Sequence, residues 1–306
     1  MTYLPRADAP GPTGKLTLPE LAEKVRRGER LVMVTAYDAP SARLADEAGV
    51  DIVLVGDSAG TTMLGLQSTT PVTMEEMLVF TRAASRGVRH ALVVADMPFG
   101  SFQISEEVAV RNAVRFVQEA GADAVKLEGA GRTLTRISGI VEAGIPVMGH
   151  IGLTPQSATK LGGYKAQGRT AAAARRLVAE ANALERAGCF SIVLEAIPAA
   201  VAGRITDAVG VPTIGIGAGA ACSGQVLVWH DLLGLLPNPP ARFVKQYLDA
   251  GTLVRDALAA YAADVREGRF PEEQHTYGMP EAERAQFEAH ASPGTPDAAG
   301  AGRSRK

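Results

Sequence analysis

Eight short apolar, β-branched runs recur along the chain, at residues 31–35, 52–55, 91–95, 124–127, 146–149, 190–194, 213–216 and 225–228. Turn residues and then a stretch of helical periodicity follow them, so the chain reads as βα units around a parallel sheet. Runs such as Ile52-Val53-Leu54-Val55 are apolar throughout, as strands buried on both faces require. A doubly wound sheet usually has fewer strands, whereas eight units match a closed (β/α)8 TIM barrel. The 306 residues would allow two domains of ordinary size. Barrels run to about 250 residues as one domain, so a single α/β barrel over 16–270 is expected. Residues 1–15 read as an N-terminal extension. Residues 271–306, with Pro, Gly, Ala, Ser and charges but no periodicity, read as a disordered tail.

The segments between the runs carry helix signals. Thr73 with Glu76 three residues on is a capping box for a helix towards Gly87. Ser105 caps the next, with Glu106 and Glu107 at the positive end of its dipole and Gly121 as a stop. Val110, Ala113, Val114 and Val117 would share its packed face. Glu107, Arg111, Arg115 and Glu119 step by four along the solvated one.

Charge narrows the partners. Lys and Arg number 31 against 33 Asp and Glu, a formal net charge of -2. Phosphate recognition needs a basic surplus, so no nucleic-acid partner is expected. The longest uncharged stretch, 208–229, holds Gly210, Gly215, Gly217, Gly219, Gly224 and Pro212 and would make a poor membrane helix. The first residues lack the apolar core of a signal peptide. Cys189 and Cys222 show no metal spacing and read as buried thiols of a reducing compartment. The expectation is a soluble, cytoplasmic protein.

In a barrel the C-terminal ends of the strands carry the chemistry. The second run ends in Val55-Gly56-Asp57-Ser58, the third in Ala95-Asp96-Met97, the fourth in Lys126-Leu127-Glu128. Three consecutive strands therefore deliver Asp57, Asp96 and Glu128 to one rim. Like charges so placed raise one another's pKa unless they share a cation. Oxygen ligands with room for water and substrate suit Mg²⁺. The competing reading makes each carboxylate a helix cap or the partner of a basic residue. Lys126 stands two residues before Glu128, on the same side of the strand. It could hold a substrate carboxylate or keto oxygen, form a Schiff base, or merely neutralise its acidic neighbours. Glu195 closes the sixth run and suits a general base whose pKa partial burial would raise, or else a helix cap. His150 at the end of the fifth reads as a wall residue or a supporting group. Tyr37 and Asp38 after the first could serve the site or only loop packing and a cap. Gly215-Ile216-Gly217-Ala218-Gly219 lacks the spacing of a nucleotide fingerprint and reads more simply as tight turns. The long glycine-bearing loop 151–169 suggests a mobile lid or a subunit contact.

Several of these segments together resemble one family. Thr35-Ala36-Tyr37-Asp38, Val55-Gly56-Asp57-Ser58, Gly149-His150-Ile151-Gly152-Leu153-Thr154-Pro155-Gln156, Gly162-Gly163-Tyr164-Lys165 and Gly215-Ile216-Gly217-Ala218-Gly219 resemble ketopantoate hydroxymethyltransferase, over about 16–275. The resemblance implies hydroxymethyl transfer from 5,10-methylenetetrahydrofolate to 3-methyl-2-oxobutanoate, giving 2-dehydropantoate in pantothenate synthesis. It implies Mg²⁺ at Asp57, Asp96 and Glu128, and ketoacid contacts from Asp57, Ser58, Asp96 and Lys126. It makes Glu195 the proton acceptor, and it implies a (β/α)8 barrel assembled as a homo-oligomer, usually a decamer. The extension after His275 departs from the family pattern. Two other readings stand beside it. One is a Mg²⁺-dependent α-ketoacid lyase or mutase of the phosphoenolpyruvate mutase and isocitrate lyase type, although no cysteine lies at the rim after the fourth strand. The other is a non-catalytic barrel scaffold.

Overall fold

The computed structural model describes residues 14–237 and 239–290. Most of the expected N-terminal extension and residues 291–306 of the expected tail lie outside them. Eight parallel strands close into a barrel in chain order: β1 (Leu31–Thr35), β2 (Ile52–Val55), β3 (Leu92–Asp96), β4 (Ala124–Glu128), β5 (Val147–Gly152), β6 (Ser191–Glu195), β7 (Thr213–Ile216) and β8 (Gly224–Leu227). β8 pairs back onto β1 through Met33 and Val226, which closes the ring.

Side chains alternate across each strand, and the alternation builds two cores. Met33, Ile52, Leu54, Leu92, Val94, Ala124, Met148, Val193, Ile214 and Val226 fill the barrel, with Leu16 and Leu21 from the N-terminal segment packed against them. Val34, Val53, Val55, Val93, Ala95, Val125, Leu127 and Leu194 face outward onto Ala42, Ala45, Met77, Ala113 and Phe116 of the surrounding helices. On the inward face the residue type changes with height. Leu92 and Val94 are followed two residues on by Asp96, Ala124 by Lys126 and Glu128, Met148 by His150, and Val193 by Glu195. One period-two register thus fills the barrel's lower end with hydrocarbon and its upper end with ionisable groups.

The helix signals hold. Thr73 and Glu76 form the capping box of helix Met74–Gly87. Ser105 accepts from the Val108 amide at the start of helix Glu106–Ala120, and Gly121 ends it in the left-handed conformation at φ 72°. Glu107–Arg111 and Arg115–Glu119 pair along its outer face. Its fully buried face is Ala109, Ala113, Phe116 and Ala120, with the expected Val110 and Val114 partly buried against the core; of the expected set only Val117 is exposed. The small alanines let the helix approach the strands, and Phe116 fills the remaining space.

Two further differences concern connections. No helix separates β7 from β8 among the described residues; only residues 217–223 join them. Gly217 (φ 65°) and Gly219 (φ 84°) make that short turn possible. A Cβ at Gly217 would stand 2.7 Å from the Phe243 ring, so these glycines serve turning and close packing. The described residues also fall into two compact units, divided between Gly251 and Thr252. In the second unit, Glu281–His290 is helical where a disordered tail was expected. Glu281 and Glu283 sit in its first turn and Arg284 pairs with Glu288 one turn on, features that favour a helix without hydrophobic periodicity.

Candidate active site

A cavity of about 110 Å³ opens at the upper end of the barrel, lined by Asp57, Ser58, Asp96, Lys126, Glu128, His150 and Glu195 among others. Asp96, Glu128 and Glu195 are the last residues of β3, β4 and β6, inside the strands rather than beyond them. Asp57 and Ser58 follow β2, where the Asp57 amide donates to Asp96 Oδ2 at 3.0 Å.

Lys126 Nζ lies 2.9 Å from Asp96 Oδ1 and 3.2 Å from His150 Nδ1. Since the ammonium can only donate, His150 Nδ1 accepts and the ring's own proton belongs on Nε2. Nε2 lies 3.1 Å from Glu195 Oε2, without a well-aligned hydrogen bond. Glu128 Oε1 is 3.6 Å from Nδ1 of the same ring. The chain Asp96–Lys126–His150–Glu195 therefore crosses the cavity floor from β3 to β6.

Four carboxylates face one ammonium, and the pKa values follow. Burial, with Asp57 nearby, lifts the Asp96 carboxyl to about 6 despite the Lys126 charge beside it. Burial and then Asp57 raise Glu128 well above the usual carboxylate range. Burial lifts Glu195 to about 7, with Lys126 pulling the other way. For Lys126, burial disfavours the charge, but Asp96, Glu128 and Asp57 outweigh it and hold the ammonium protonated. Burial and the Lys126 charge keep His150 neutral. The Glu195 side chain is 16% exposed, against 5% for those of Asp96 and Lys126 and 4% for Glu128. Glu195 is thus the acid a substrate reaches most directly, and a carboxylate of pKa near neutrality is suited to taking a proton.

The donor set can be tested against a hard cation. Among the described residues, no three His, Cys, Asp or Glu side chains close on one point. Asp96 Oδ1 is taken up by the Lys126 ammonium at 2.9 Å, but that single charge is shared among the acids of the rim and does not balance them. Two or three oxygen donors facing one cavity fit an ion such as Mg²⁺, which completes its shell with water and substrate.

Gln156 is a site residue that the strand-end argument did not single out. Its amide donates to Glu128 Oε2 at 3.0 Å, and its side-chain Nε2 donates to Asp57 Oδ2 at 2.9 Å and to the Met97 carbonyl at 3.0 Å. It therefore fixes two acids of the rim to each other. It belongs to the loop expected to be a lid, whose first turn is pinned into the site wall. Gly152 (φ 99°) starts that turn where the Leu153 amide donates to the Glu195 carbonyl at 2.9 Å. Ala196, directly after Glu195, holds a left-handed φ of 47°, a strained conformation for a residue with a Cβ.

The remaining expectations divide. Tyr37 lies behind the cavity and bonds Ser58 Oγ at 2.8 Å, with burial pushing its phenol up to about 12. Asp38 caps helix Ala39–Glu47 by accepting the Ser41 amide at 2.7 Å. Cys189 and Cys222 are buried free thiols just before β6 and β8, at the opposite end from the acids.

Known proteins bear on this arrangement. A family model for ketopantoate hydroxymethyltransferase matches residues 15–273. The chain belongs to that family. A family relative from Carboxydothermus hydrogenoformans, 3-methyl-2-oxobutanoate hydroxymethyltransferase, is 52% identical over 265 residues, 87% of this chain and 96% of its own. Among solved structures, 2,3-dimethylmalate lyase, a phosphoenolpyruvate mutase/isocitrate lyase superfamily member, has a TM-score of 0.53 at 18% identity, covering 88% of this chain and 99% of its own. Phosphonopyruvate hydrolase in complex with oxalate and Mg²⁺ has a TM-score of 0.54 at 15% identity, covering 90% and 96%. At such identities the likeness is one of fold, and the barrel of this family is shared with those enzymes.

Proposed function

We propose that this chain transfers a hydroxymethyl unit from 5,10-methylenetetrahydrofolate to 3-methyl-2-oxobutanoate, giving 2-dehydropantoate and tetrahydrofolate. The carrying observation is a carboxylate of near-neutral pKa, Glu195, facing Lys126, Asp96 and Asp57 across one small cavity. That combination suits removal of a proton from the carbon next to a ketone. The ketoacid would lie with its carboxylate and 2-oxo oxygens towards Ser58 and Lys126, and with C3 towards Glu195. Asp57 and Asp96, with Glu128, would hold a Mg²⁺ ion, which supplies positive charge to the oxygen that becomes negative when the proton leaves.

Glu195 takes the C3 proton, with the neutral His150 ring 3.1 Å from its carboxylate. The carbanion carbon forms a bond to the one-carbon unit, and both bonds of that unit to the folate nitrogens break. Water supplies its hydroxyl, and the two nitrogens take up the proton removed by Glu195 and the remaining proton of the water. Lys126 keeps a fixed positive charge at the ketoacid without itself exchanging protons, since its acidic neighbours hold it protonated. Gln156 and the loop behind it limit water, which would otherwise reprotonate the carbanion.

Glu195→Gln should abolish exchange of the C3 hydrogen with D₂O while ketoacid binding survives; retained exchange would remove Glu195 as the base. The lyase or mutase reading shares the barrel, but both cysteines lie at its other end. Product formation that depends on methylenetetrahydrofolate separates the two. The convergence of Asp57, Asp96, Glu128 and Glu195 on one cavity speaks against a mere scaffold. Assembly into a homo-oligomer and a cytoplasmic site belong to the same reading. In the second unit, Leu258, Tyr261 and Val265 stand exposed on one helix, as an assembly would use them. Both thiols are free, and no described helix is long and apolar enough to cross a membrane.

A further inference from the structure

A second, larger cavity adjoins the acidic one. It measures about 350 Å³, within the usual range for small-molecule sites, and lies between the loops after β3, β4 and β5 and helix Ala171–Arg186. Glu128 belongs to the walls of both cavities, and Gln156, which bonds Asp57, lines the larger one. The lining of the larger cavity passes from buried to exposed: Glu128, Thr154 and Gln156 are buried, while Lys160 and Arg176 are exposed. Phe99 and Phe102 add aromatic surface to its wall.

A reduced folate has the same grading. Its one-carbon unit sits on the pteridine side, flat rings follow, and the glutamyl carboxylates form the far end. We propose that this cavity holds the folate co-substrate, its one-carbon end against Gln156 and Glu128 and its glutamyl tail at Lys160 and Arg176. The proposal rests on the hydroxymethyl-transfer reading and adds where the donor lies. The reverse orientation would push glutamyl carboxylates towards Glu128, Asp57 and Asp96, a like-charge contact that disfavours it. Glu180 also lines the cavity, 3.8 Å from Arg176 and within reach of the Lys160 charge, so the two cations outnumber the one carboxylate beside them. The shared wall also explains why the acidic cavity can be small: it need admit only the ketoacid.

The test measures tetrahydrofolate and its tri-γ-glutamyl form binding to the full-length protein and to Lys160→Glu/Arg176→Glu, with 3-methyl-2-oxobutanoate titrated in parallel. The double variant should lose about tenfold or more in affinity for tetrahydrofolate, and more for the triglutamate. Ketoacid affinity should stay within about twofold, since neither residue lines the acidic cavity. Unchanged affinity for both folates would overturn the assignment while leaving the transferase reading in place. A wild-type protein that exchanges the C3 hydrogen but binds no folate would overturn both. If the double variant misfolds by circular dichroism, Lys160→Gln and Arg176→Gln give the same comparison with no charge reversal.

Discussion

Replacing Glu195 by Gln should make the metal-free protein more stable at alkaline pH even as it removes the base. Burial lifts the Glu195 carboxyl from its ordinary 4.5 to about 7. Native protein therefore holds a proton here that the unfolded chain has already released between those values. Stability must fall as pH rises through that window, because the native state binds more protons than the unfolded one. A shift of that size is worth about 3 kcal/mol once both states are ionised. Glutamine keeps the shape yet carries no charge to desolvate. Urea unfolding of both proteins from pH 4.5 to 8, without Mg²⁺, would measure the difference. The variant should gain about 3 kcal/mol at pH 8, shrinking to a few tenths near pH 4.5. A difference that stays flat with pH, or a wild type that gains stability towards pH 8, would refute the reasoning. Loss of function with gain of stability is the signature expected of a strained catalytic group.

Other perturbations probe neighbouring parts of the site. Lys126→Met removes the cation beside Asp96 and should cost about 3–5 kcal/mol at pH 8, less at pH 5 where Asp96 takes up a proton, by the same unfolding assay. Mg²⁺ should raise the melting temperature, with stabilisation of about 2.7 kcal/mol at a hundredfold excess over its Kd, and the rise should vanish in Asp57→Asn/Asp96→Asn. Ala196→Val places a β-branched residue at φ 47° and should destabilise by about 1–2 kcal/mol, whereas Ala196→Gly should not, as melting curves would show.

Most of the barrel is legible in the sequence because a strand buried on both faces leaves a continuous apolar signature. The eight runs mark the eight strands within a few residues, and β1, β2 and β7 match them end to end. The acids at the rim are legible for the same reason: a charge that ends an apolar run stands out, and the fold class says which end matters. Elsewhere carboxylates of identical type do structural work. Asp51 accepts the Val32 amide and Asp123 the Val93 amide near the starts of their strands, and residue type alone does not separate them from Asp57 or Asp96.

The tertiary structure decided what depends on contact between distant segments. Gln156 lies 99 residues from Asp57 along the chain, and no local pattern announces their hydrogen bond. The direction of the His150 proton follows from Lys126 on one side and Glu195 on the other, which only the closed barrel brings together. The packing of Gly217 against the Phe243 ring is likewise a contact that periodicity cannot register. Sequence thus determined the scaffold and the kinds of groups at its rim, since both are written in local pattern. Which acid is accessible, which pKa nears neutrality and which cavity adjoins it were settled by burial and distance, and these exist only once the chain has closed on itself.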